Sequence, residues 1–489
     1  MPIIHLLRLC AVLSLLASVA FAGSAQAMPT PASKPNIIFV LIDDMGYGDL
    51  SCYGGRPGLT VHIDSLASEG IRFSQFYVGA PICSPSRTAF MTGQNPARWR
   101  ITSFLAARAE NERRGMDQWL DVKAPSLART LQQAGYATGH FGKWHMGGQR
   151  DVGEAPLITE YGFDESLTNF EGLGDRILPL LDAFDGVPSK KYSLGSDNLG
   201  RGKIEWMDRS KVTGAFVQRT VDFVQRAEKE GKPFYVNLWP DDVHSPFFPP
   251  KALRGGASKE ELYLSVTKAM DEQFAQLFDY VRNSPSLRTN TIILVASDNG
   301  PEPGAGSAGP FRGAKGMLYE GGIREPLIVW GPGFMEKSNL GMLNETTVIS
   351  ALDFFPSIAR LAGVDAAGLS FDGEDISAAL LGKNKKKRAK PLFWSRPPDR
   401  PGINGEVWPD LATRNGNWKL LLMRDGSNAQ LFDLAKDPGE TQNMAAKHPN
   451  IVQRMSEPLL AWWQSLPEGR LAGSQGRNDQ SPLTKRSNP

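Results

Sequence analysis

Cysteine is scarce in this chain, its net charge is close to zero, and long apolar runs are almost absent. Three cysteines in 489 residues exclude a small fold held together by disulfides. A formal net charge of +2 gives no reason to expect nucleic acid as a partner. After the N-terminal region, no apolar run approaches the length of a membrane span. The apolar and charged contents, 41% and 22%, are those of an ordinary globular protein.

The N-terminus has the pattern of a secretory signal peptide. Residues 1–8 carry a weak positive charge, residues 9–22 are apolar, and Ala25-Gln26-Ala27 fits the small-x-small rule for cleavage. An uncleaved membrane anchor is the alternative, but the apolar run is too short to favour it. We therefore expect a signal peptide over residues 1–27, cleavage after Ala27, a periplasmic or secreted location, and no stable membrane association.

Unbroken apolar runs predict the main strands. Such a run is typical of a strand buried on both faces, as in a parallel sheet. The runs cover residues 36–42, 233–239, 291–296 and 326–330. Segments with helical spacing lie between them, at residues 126–134, 212–228 and 259–281. Strands that alternate with helices predict an α/β sandwich.

The last quarter of the chain has a different pattern. Residues 383–391 are basic and loop-like, and they are the best candidate for a linker. A solvated linker is favoured there over a site for a polyanion. Beyond it, strand-like runs in 411–434 are broken by the hairpin signals Asn415-Gly416 and Asp425-Gly426, and 451–466 is an amphipathic helix. We predict a large domain over 28–382 and a C-terminal subdomain over 392–489, with a small antiparallel sheet, one helix and a polar tail from Pro467.

Polar residues follow the predicted strands, where ligands gather in open α/β sheets. Asp43 and Asp44 follow the first run, His244 comes after the second, and Asp298 and Asn299 follow the third. The acids and the amide offer only hard oxygen atoms, which suit Ca²⁺ better than Zn²⁺. Taken singly, each residue has another interpretation, such as a helix cap or a structural turn.

Removal of the signal peptide leaves Cys52 and Cys83, which either pair or keep at least one thiol for chemistry. Residues 83–87 read Cys-Ser-Pro-Ser-Arg, and Thr-Gly follows at 92–93. Taken alone, this is a cysteine in a proline-containing loop before a helix. A thiolate nucleophile would need a base and a lowered pKa. Arg87 offers positive charge, but nothing in the segment makes the thiol itself necessary.

This segment resembles the signature of type I sulfatases, in which the cysteine is oxidised to formylglycine. Other elements are similar to that family and stand in its order: Asp43-Asp44, Gly-Lys-Trp-His-Met-Gly at 142–147, His244, Asp298-Asn299-Gly300, Gly-Ala-Lys at 313–315, and Gly-Gly-Ile-Arg-Glu-Pro at 321–326. The resemblance runs from about residue 35 to 380. Within the family the pattern looks like the arylsulfatase A-like and N-acetylgalactosamine-6-sulfatase-like enzymes.

The resemblance implies a fold and a site. The fold would be an alkaline-phosphatase-like sandwich, with a large mixed, mostly parallel sheet between helices and a smaller C-terminal domain. A maturation enzyme would convert Cys83 to formylglycine (3-oxoalanine). The implied ligands of Ca²⁺ are Asp43, Asp44, Asp298, Asn299 and the converted Cys83. The implied catalytic residues are Cys83, Arg87, Lys143, His145, His244 and Lys315, and Lys143, His244 and Lys315 would also bind the substrate.

The resemblance also implies a division of labour in hydrolysis. Asp298 would help to activate the attacking hydroxyl of the hydrated aldehyde, and His145 would take the proton from the second hydroxyl. His244 and Lys315 would protonate the leaving alcohol. The expected substrate is a sulfated carbohydrate, and its specificity would lie in loops around the pocket. The candidate loops are 98–108, 170–206, 241–254 and 395–408.

Two rival functions belong to other classes. A metal-dependent phosphatase or phosphodiesterase of the same superfamily would hold two Zn²⁺ ions with several histidines and use Ser or Thr as the nucleophile. A sulfoglycan-binding protein without catalysis would have a broken set of site residues, and no expected residue is missing. A Cys52–Cys83 disulfide would block maturation, so we expect Cys52 to be a buried spectator thiol.

Overall fold

The computed structural model describes residues 34–181, 189–254, 258–403 and 405–467. The signal peptide predicted over residues 1–27 lies outside these residues, and so does nearly all of the predicted polar tail. Among the helices of the described ranges, none is both long enough and apolar enough to cross a membrane.

The strands form largely where the sequence is apolar without a break. In chain order they are β1 (Asn36–Ile42), β2 (Ile71–Tyr77), β3 (Ala137–Gly142), β4 (Glu165–Leu167), β5 (Arg176–Leu181), β6 (Lys190–Lys191), β7 (Ile204–Asp208), β8 (Phe234–Trp239), β9 (Thr291–Ser297), β10 (Arg324–Trp330), β11 (Met342–Asn344), β12 (Ile349–Ser350), β13 (Leu392–Ser395), β14 (Gly402–Ile403), β15 (Glu406–Val407), β16 (Leu411–Asn415), β17 (Trp418–Leu422) and β18 (Gln430–Asp433).

The helices begin at capping residues in several places. Ser126 accepts a hydrogen bond from the backbone of Arg129, and Ser258 and Glu261 form a reciprocal capping box. The helices are α1 (Val61–Glu69), α2 (Cys83–Thr92), α3 (Arg108–Arg113), α4 (Leu127–Gln133), α5 (Val212–Lys229), α6 (Lys259–Asn283), α7 (Pro285–Asn290), α8 (Glu320–Ile323), α9 (Phe354–Leu361), α10 (Ser377–Leu380) and α11 (Pro449–Gln464).

A nine-stranded sheet forms the centre of the fold. Its order is β11-β2-β10-β9-β1-β8-β3-β4, and β12 also pairs with β2. Only β10 runs against its neighbours, so the sheet is mixed and mostly parallel. The four predicted strands are all present, and the predicted fold class is confirmed. The run at 326–330 differs in one respect: as β10 it is antiparallel, so its beginning and not its end lies at the edge where its neighbours end.

Both faces of this sheet are covered. In β1, Phe39 packs into the core on one face, whereas Val40 packs into the core on the other. Helices α2, α4 and α9 contribute to the first core, and helices α1, α5 and α6 contribute to the second. This two-sided burial explains why the sequence of β1 is apolar without alternation.

The predicted C-terminal sheet is also present. Strands β13, β16, β17 and β18 form an antiparallel sheet, with α11 packed on one face through Met455 and Leu459. The other face joins the main core through Leu421 and Phe432. The basic stretch 383–390 has no helix or strand. The proposed division into two domains at this stretch stays a prediction.

Candidate active site

Four parallel neighbours, β9, β1, β8 and β3, end at the same edge of the large sheet. Asp43 follows β1 directly, Lys143 follows β3, and Asp298 follows β9, while His244 lies in the loop after β8. Because parallel strands present their carboxyl ends together, the topology gathers side chains that are up to 255 residues apart in sequence.

The candidate nucleophile enters this edge from a helix. Cys83 is the first residue of α2 and is almost fully buried. Burial raises the pKa of its thiol, and the nearby charge of Lys143 only partly opposes this effect. The thiol is therefore protonated at neutral pH, and it is not an activated thiolate.

Arg87, one turn along α2, is the buried cation that joins the loops. Its Nε and Nη2 donate to Oδ2 of Asp298 at 3.0 and 2.8 Å, and Nη1 donates to the backbone oxygen of Lys143 at 2.8 Å. Nη2 also lies 3.2 Å from Oδ1 of Asp43, and the guanidinium carbon lies 5.3 Å from the ring centre of Trp239. Arg87 therefore connects α2 to the ends of β1, β3 and β9.

Two lysines neutralise the aspartates that follow β1. Lys143 Nζ donates to Asp43 Oδ2 at 2.6 Å, and Lys315 Nζ donates to Asp44 Oδ2. Lys315 comes from the long loop between β9 and α8. The lysines thus bring two further positive charges to the edge of the sheet that holds Cys83.

The acidic residues form a cluster that fits a cation. Carboxylate oxygens of Asp43, Asp44 and Asp298 lie within 4.8 Å of one another. Asn299 donates through Nδ2 to Asp44, which leaves its Oδ1 without a hydrogen-bond partner among the described residues. Asp43 Oδ1 also accepts no hydrogen bond from the described residues, although Arg87 Nη2 lies 3.2 Å from it. Buried oxygens without donors are the atoms that a hard cation would bind. The four residues therefore suit Ca²⁺.

Two carboxyl groups of this cluster, those of Asp43 and Asp298, have displaced pKa values. Burial, followed by the charge of Asp43, raises the pKa of Asp298 to about 8. Burial alone would also raise the pKa of Asp43, but the charges of Lys143 and neighbouring cations hold it well below its usual value. Three buried carboxyl groups this close repel one another, and a bound cation would relieve that repulsion.

His145 lies two residues beyond Lys143 and is held in one tautomer. Its Nε2 lies 2.9 Å from the backbone oxygen of Leu105, which only accepts, and 3.2 Å from Oε2 of Glu171. Nε2 therefore carries the proton, and Nδ1 has no partner among the described residues. Burial, followed by the charge of Lys143, holds the pKa of His145 well below its usual value. The ring is a neutral base with Nδ1 as its free acceptor.

His244 is oriented by its own loop. Its Nδ1 lies 2.7 Å from the backbone oxygen of Ser245, so Nδ1 donates and Nε2 is the variable atom. Nε2 lies 3.7 Å from Asp44 Oδ2. Burial, followed by the charges of Lys315 and Lys143, lowers the pKa of the ring. About a third of the side chain is exposed, which lets it meet a ligand.

The backbone is unusual at two of these positions. Asp44 and His145 have φ values of 60° and 57°, in the left-handed region that residues with side chains seldom adopt. Gly142, which ends β3, has a φ of 121°, and a Cβ there would lie 2.1 Å from the backbone oxygen of Trp239. Only glycine therefore lets β3 come this close to β8 at the point where Lys143 begins the loop.

A cavity of about 540 Å³ opens onto this cluster. Cys83, His145, His244 and Lys315 line its floor and sides. Each of the four segments predicted to carry specificity contributes to the wall. The contributions are Phe104 from 98–108, Phe170, Glu171, Tyr192 and Leu194 from 170–206, His244 and Ser245 from 241–254, and Arg400 and Trp408 from 395–408.

The structure thus brings together all ten residues singled out from the sequence. Glu171 and Arg150, which also line the cavity, were not singled out individually. Neither stands in a recognisable sequence pattern, since each is an isolated charged residue in a loop. Cys52 lies elsewhere and is half-buried, not fully buried as expected, and both thiols are free.

Two family models match the chain. The model described as "Sulfatase" matches residues 35–364, and the model described as "N-sulphoglucosamine sulphohydrolase, C-terminal" matches residues 310–464. The first match contains all ten residues singled out from the sequence.

Individual proteins are similar over most of their length. Arylsulfatase A of Bos taurus is 30% identical over 84% of this chain and 84% of that protein. The N-acetylgalactosamine-6-sulfatase of Sus scrofa is 31% identical over 74% of this chain and 68% of that protein. The crystal structure of Ps i-CgsB in complex with k-i-k-neocarrahexaose has a TM-score of 0.74 at 24% identity, and the match covers 93% of this chain and 97% of that chain. That crystal structure shares the fold.

Proposed function

The chain belongs to the sulfatase family and is a sulfuric ester hydrolase, and from this premise we propose that it removes sulfate from a sulfated carbohydrate by means of a formylglycine made from Cys83. The observation that carries the proposal is the position of Cys83. It lies in one cavity with two histidines and a lysine, beside a cluster of three aspartates.

The state of Cys83 favours conversion over direct use as a thiol. Burial raises the pKa of the thiol, and a protonated thiol is a poor nucleophile. A hydrated aldehyde at this position supplies two hydroxyls on one carbon, one to attack sulfur and one to release sulfate. The conversion requires a maturation enzyme, which would act on the chain before Cys83 becomes buried.

We assign Ca²⁺ to the cluster of Asp43, Asp44, Asp298 and Asn299, with residue 83 as a further ligand after conversion. The Oδ1 atoms of Asp43 and Asn299 are buried and accept no hydrogen bond from the described residues, which supports this assignment. When bound, Ca²⁺ supplies positive charge that polarises the sulfate oxygens. Arg87, Lys143 and Lys315 supply fixed positive charge beside it, and they orient the anionic group of the substrate.

Proton transfer is assigned to side chains with a defined hydrogen position. His145 has a free Nδ1 and a low pKa, so it accepts a proton there while Nε2 stays bonded to Leu105. Asp298 assists the attacking hydroxyl through its carboxyl group. Lys315 Nζ and His244 Nε2 lie on the open side of the cluster. Lys315 holds a proton for the leaving alcohol, and His244, whose own proton is on Nδ1, accepts a proton at Nε2 and passes it to that alcohol.

The wall of the cavity suits a sugar. Phe104, Phe170, Tyr192 and Trp408 offer faces for the apolar side of a ring, and Arg150 offers donors for hydroxyl or anionic groups. The named relatives include an N-acetylgalactosamine-6-sulfatase, which supports a sulfated saccharide as the substrate here. Export to the periplasm or to the medium, through the signal peptide at residues 1–27, completes the proposal.

Turnover of matched aryl esters tests the reaction class. We expect the enzyme to hydrolyse 4-nitrophenyl sulfate and to prefer it over 4-nitrophenyl phosphate. Cys83→Ala should lose turnover and keep its melting temperature, because the thiol makes no hydrogen bond with the described residues. Peptide mass spectrometry of active preparations should find residue 83 without its sulfur. A phosphate preference would support the phosphatase alternative, and full activity in the Cys83→Ala variant would exclude the formylglycine.

A further inference from the structure

A second cavity, of about 300 Å³, lies between the edge of the large sheet and the C-terminal sheet. It shares no lining residue with the active-site cavity. Its wall contains four cationic side chains and no carboxylate. The lining residues are Gln75, Thr346, Val348, Lys387, Arg388, Lys390, Leu392, Arg414, Gly416 and Asn417. Three of the cations come from the basic stretch 383–390.

Arg414 is the unusual member of this set. Its side chain is 4% exposed, yet it forms no ion pair with a carboxylate of the described residues. Its Nε donates to the backbone oxygen of Gly416 at 3.0 Å, and Nη2 donates to the amide oxygen of Gln75. The ring of Tyr77 lies 4.7 Å from the guanidinium carbon. All these partners are neutral, and a buried cation is costly unless an anion accompanies it.

The closest candidate for that anion inside the protein is already engaged. Burial would raise the pKa of Glu320, but the charges of Lys419, Arg324 and Arg414 together lower it. Arg414 therefore lies close enough to Glu320 to interact with it electrostatically. Glu320, however, accepts from Lys419 at 2.9 Å and from Arg324 at 3.3 Å. The charge of Arg414 therefore remains available to a ligand.

Arg388 also lines this cavity, and it too has a buried guanidinium nitrogen without a hydrogen-bond partner among the described residues. Its side chain is 7% exposed, and Nη1 lies 2.5 Å from Asp353 Oδ2. Its Nε donates to the backbone oxygen of Lys390 at 3.0 Å, but Nη2 has no hydrogen-bond partner among the described residues. Nη1 of Arg414 likewise has none. Two buried guanidinium groups, each with one free nitrogen, thus share a cavity with the exposed Lys387.

We propose that this cavity binds a sulfate group of the saccharide substrate at a distance from the ester that is cleaved, an inference that rests on the proposed function. Planar guanidinium groups match the oxygens of sulfate, phosphate and carboxylate. Val348 and Leu392 add apolar surface for a sugar ring, and the volume is that of a small ligand pocket. A substrate that carries several sulfate groups would be held at two places. Free inorganic sulfate offers the same chemistry, and the test below separates the two sources.

Binding measurements should use the full chain with Cys83→Ala, which keeps the saccharide intact. The probes are a fluorescent sulfated hexasaccharide and sodium sulfate, and the variants are Lys387→Gln and Arg414→Gln. Lys385→Gln is the matched control, because Lys385 is exposed in the same basic stretch and does not line this cavity. We expect each variant to weaken hexasaccharide binding about tenfold, as the loss of one charge-assisted hydrogen bond should, and the control to bind like its parent.

Turnover of 4-nitrophenyl sulfate by the same variants with Cys83 restored should stay unchanged, since that ester carries a single sulfate group and neither varied residue lines the active-site cavity. If only sulfate binding weakens, the cavity is a site for the free anion and the saccharide is excluded. Unchanged binding of both probes would overturn the proposal. If Arg414→Gln unfolds, the binding measured for Lys387→Gln tests the proposal alone, because the Lys387 side chain is exposed and makes no hydrogen bond or ion pair with the described residues. Failure of the parent enzyme to hydrolyse the ester would instead contradict the proposed function.

Discussion

Replacement of Arg87 by glutamine should destabilise the protein strongly. The arginine side chain has no exposed surface, and it donates two hydrogen bonds to Asp298 and lies 3.2 Å from Asp43. Its removal leaves the buried Asp298 without its cation and leaves Asp43 with Lys143 alone. Breaking a buried ion pair in this way costs about 3–5 kcal/mol, because the remaining charge is neither solvated nor paired.

A matched control separates burial from hydrogen bonding. Arg113 also donates two hydrogen bonds to one carboxylate, that of Glu110, at 2.9 and 2.6 Å. Its side chain is 66% exposed, so water replaces the lost partner. We expect Arg113→Gln to leave the free energy of unfolding unchanged within error. Both variants remove two hydrogen bonds to one carboxylate, but Arg87 is buried and also contacts Asp43 and the backbone of Lys143, whereas Arg113 is exposed.

Denaturant unfolding at pH 8.5 is the measurement, since this pH lies above the pKa of about 8 that burial gives Asp298. Each variant should be measured with Ca²⁺ and with a chelator. The loss in Arg87→Gln should be larger with the chelator, because a cation at the aspartates offsets part of the missing charge. Equal losses in Arg87→Gln and Arg113→Gln would refute the assignment of Arg87 as the buried cation of the site.

Three further outcomes are expected. Chelation should lower activity, and Ca²⁺ should restore it better than Zn²⁺. Ca²⁺ should raise the melting temperature of Asn299→Ala less than that of the wild type. Metal-independent turnover would contradict the assignment of the calcium site. Lys315→Gln should lower kcat/KM about 10²–10³-fold, because its charge meets the substrate in a cavity, and it should also lower the melting temperature, because the buried Asp44 loses an ion-pair partner; a loss of stability without a loss of rate would contradict the role in the reaction. Burial raises the pKa of Glu171 to about 7 from its usual 4.5, so the folded state keeps a proton that the unfolded chain loses. The wild type should therefore lose stability relative to Glu171→Gln as the pH rises from about 4.5 to 7, and a constant difference in melting temperature across that range would show that Glu171 is not protonated.

The prediction of the fold succeeded where burial is written into the local sequence. Strands such as β1 and β9 are buried at every position and are apolar except at their ends, because each is covered on both faces, and α6 begins at a capping box. Strand β3 was not singled out, because its residues His140 and Gly142 interrupt the apolar pattern. The direction of β10 could not be predicted either, because an apolar run does not show which way its strand runs in the sheet. The antiparallel direction depends on the pairing of β10 with β2 and β9.

The sequence by itself determined the reaction class. Cys83 and Arg87 are close in the chain, and their spacing is a local pattern that resembles one family. The aspartates after β1 and the pair after β9 follow from strand ends in the same way. Chemistry of this kind depends on residue types and short spacings, which a sequence carries directly.

Only the tertiary structure decided the electrostatics and the shape of the site. The free Nδ1 of His145 depends on contacts of Nε2 with Leu105 and Glu171, which lie 40 and 26 residues away in the chain. The anion binding proposed for the basic stretch depends on Arg414, which shares its cavity. Desolvation and hydrogen bonding act through space between side chains from distant loops. No local pattern records which loops meet, so the protonation states, the cavity wall and the second cationic pocket emerge only when the chain is folded.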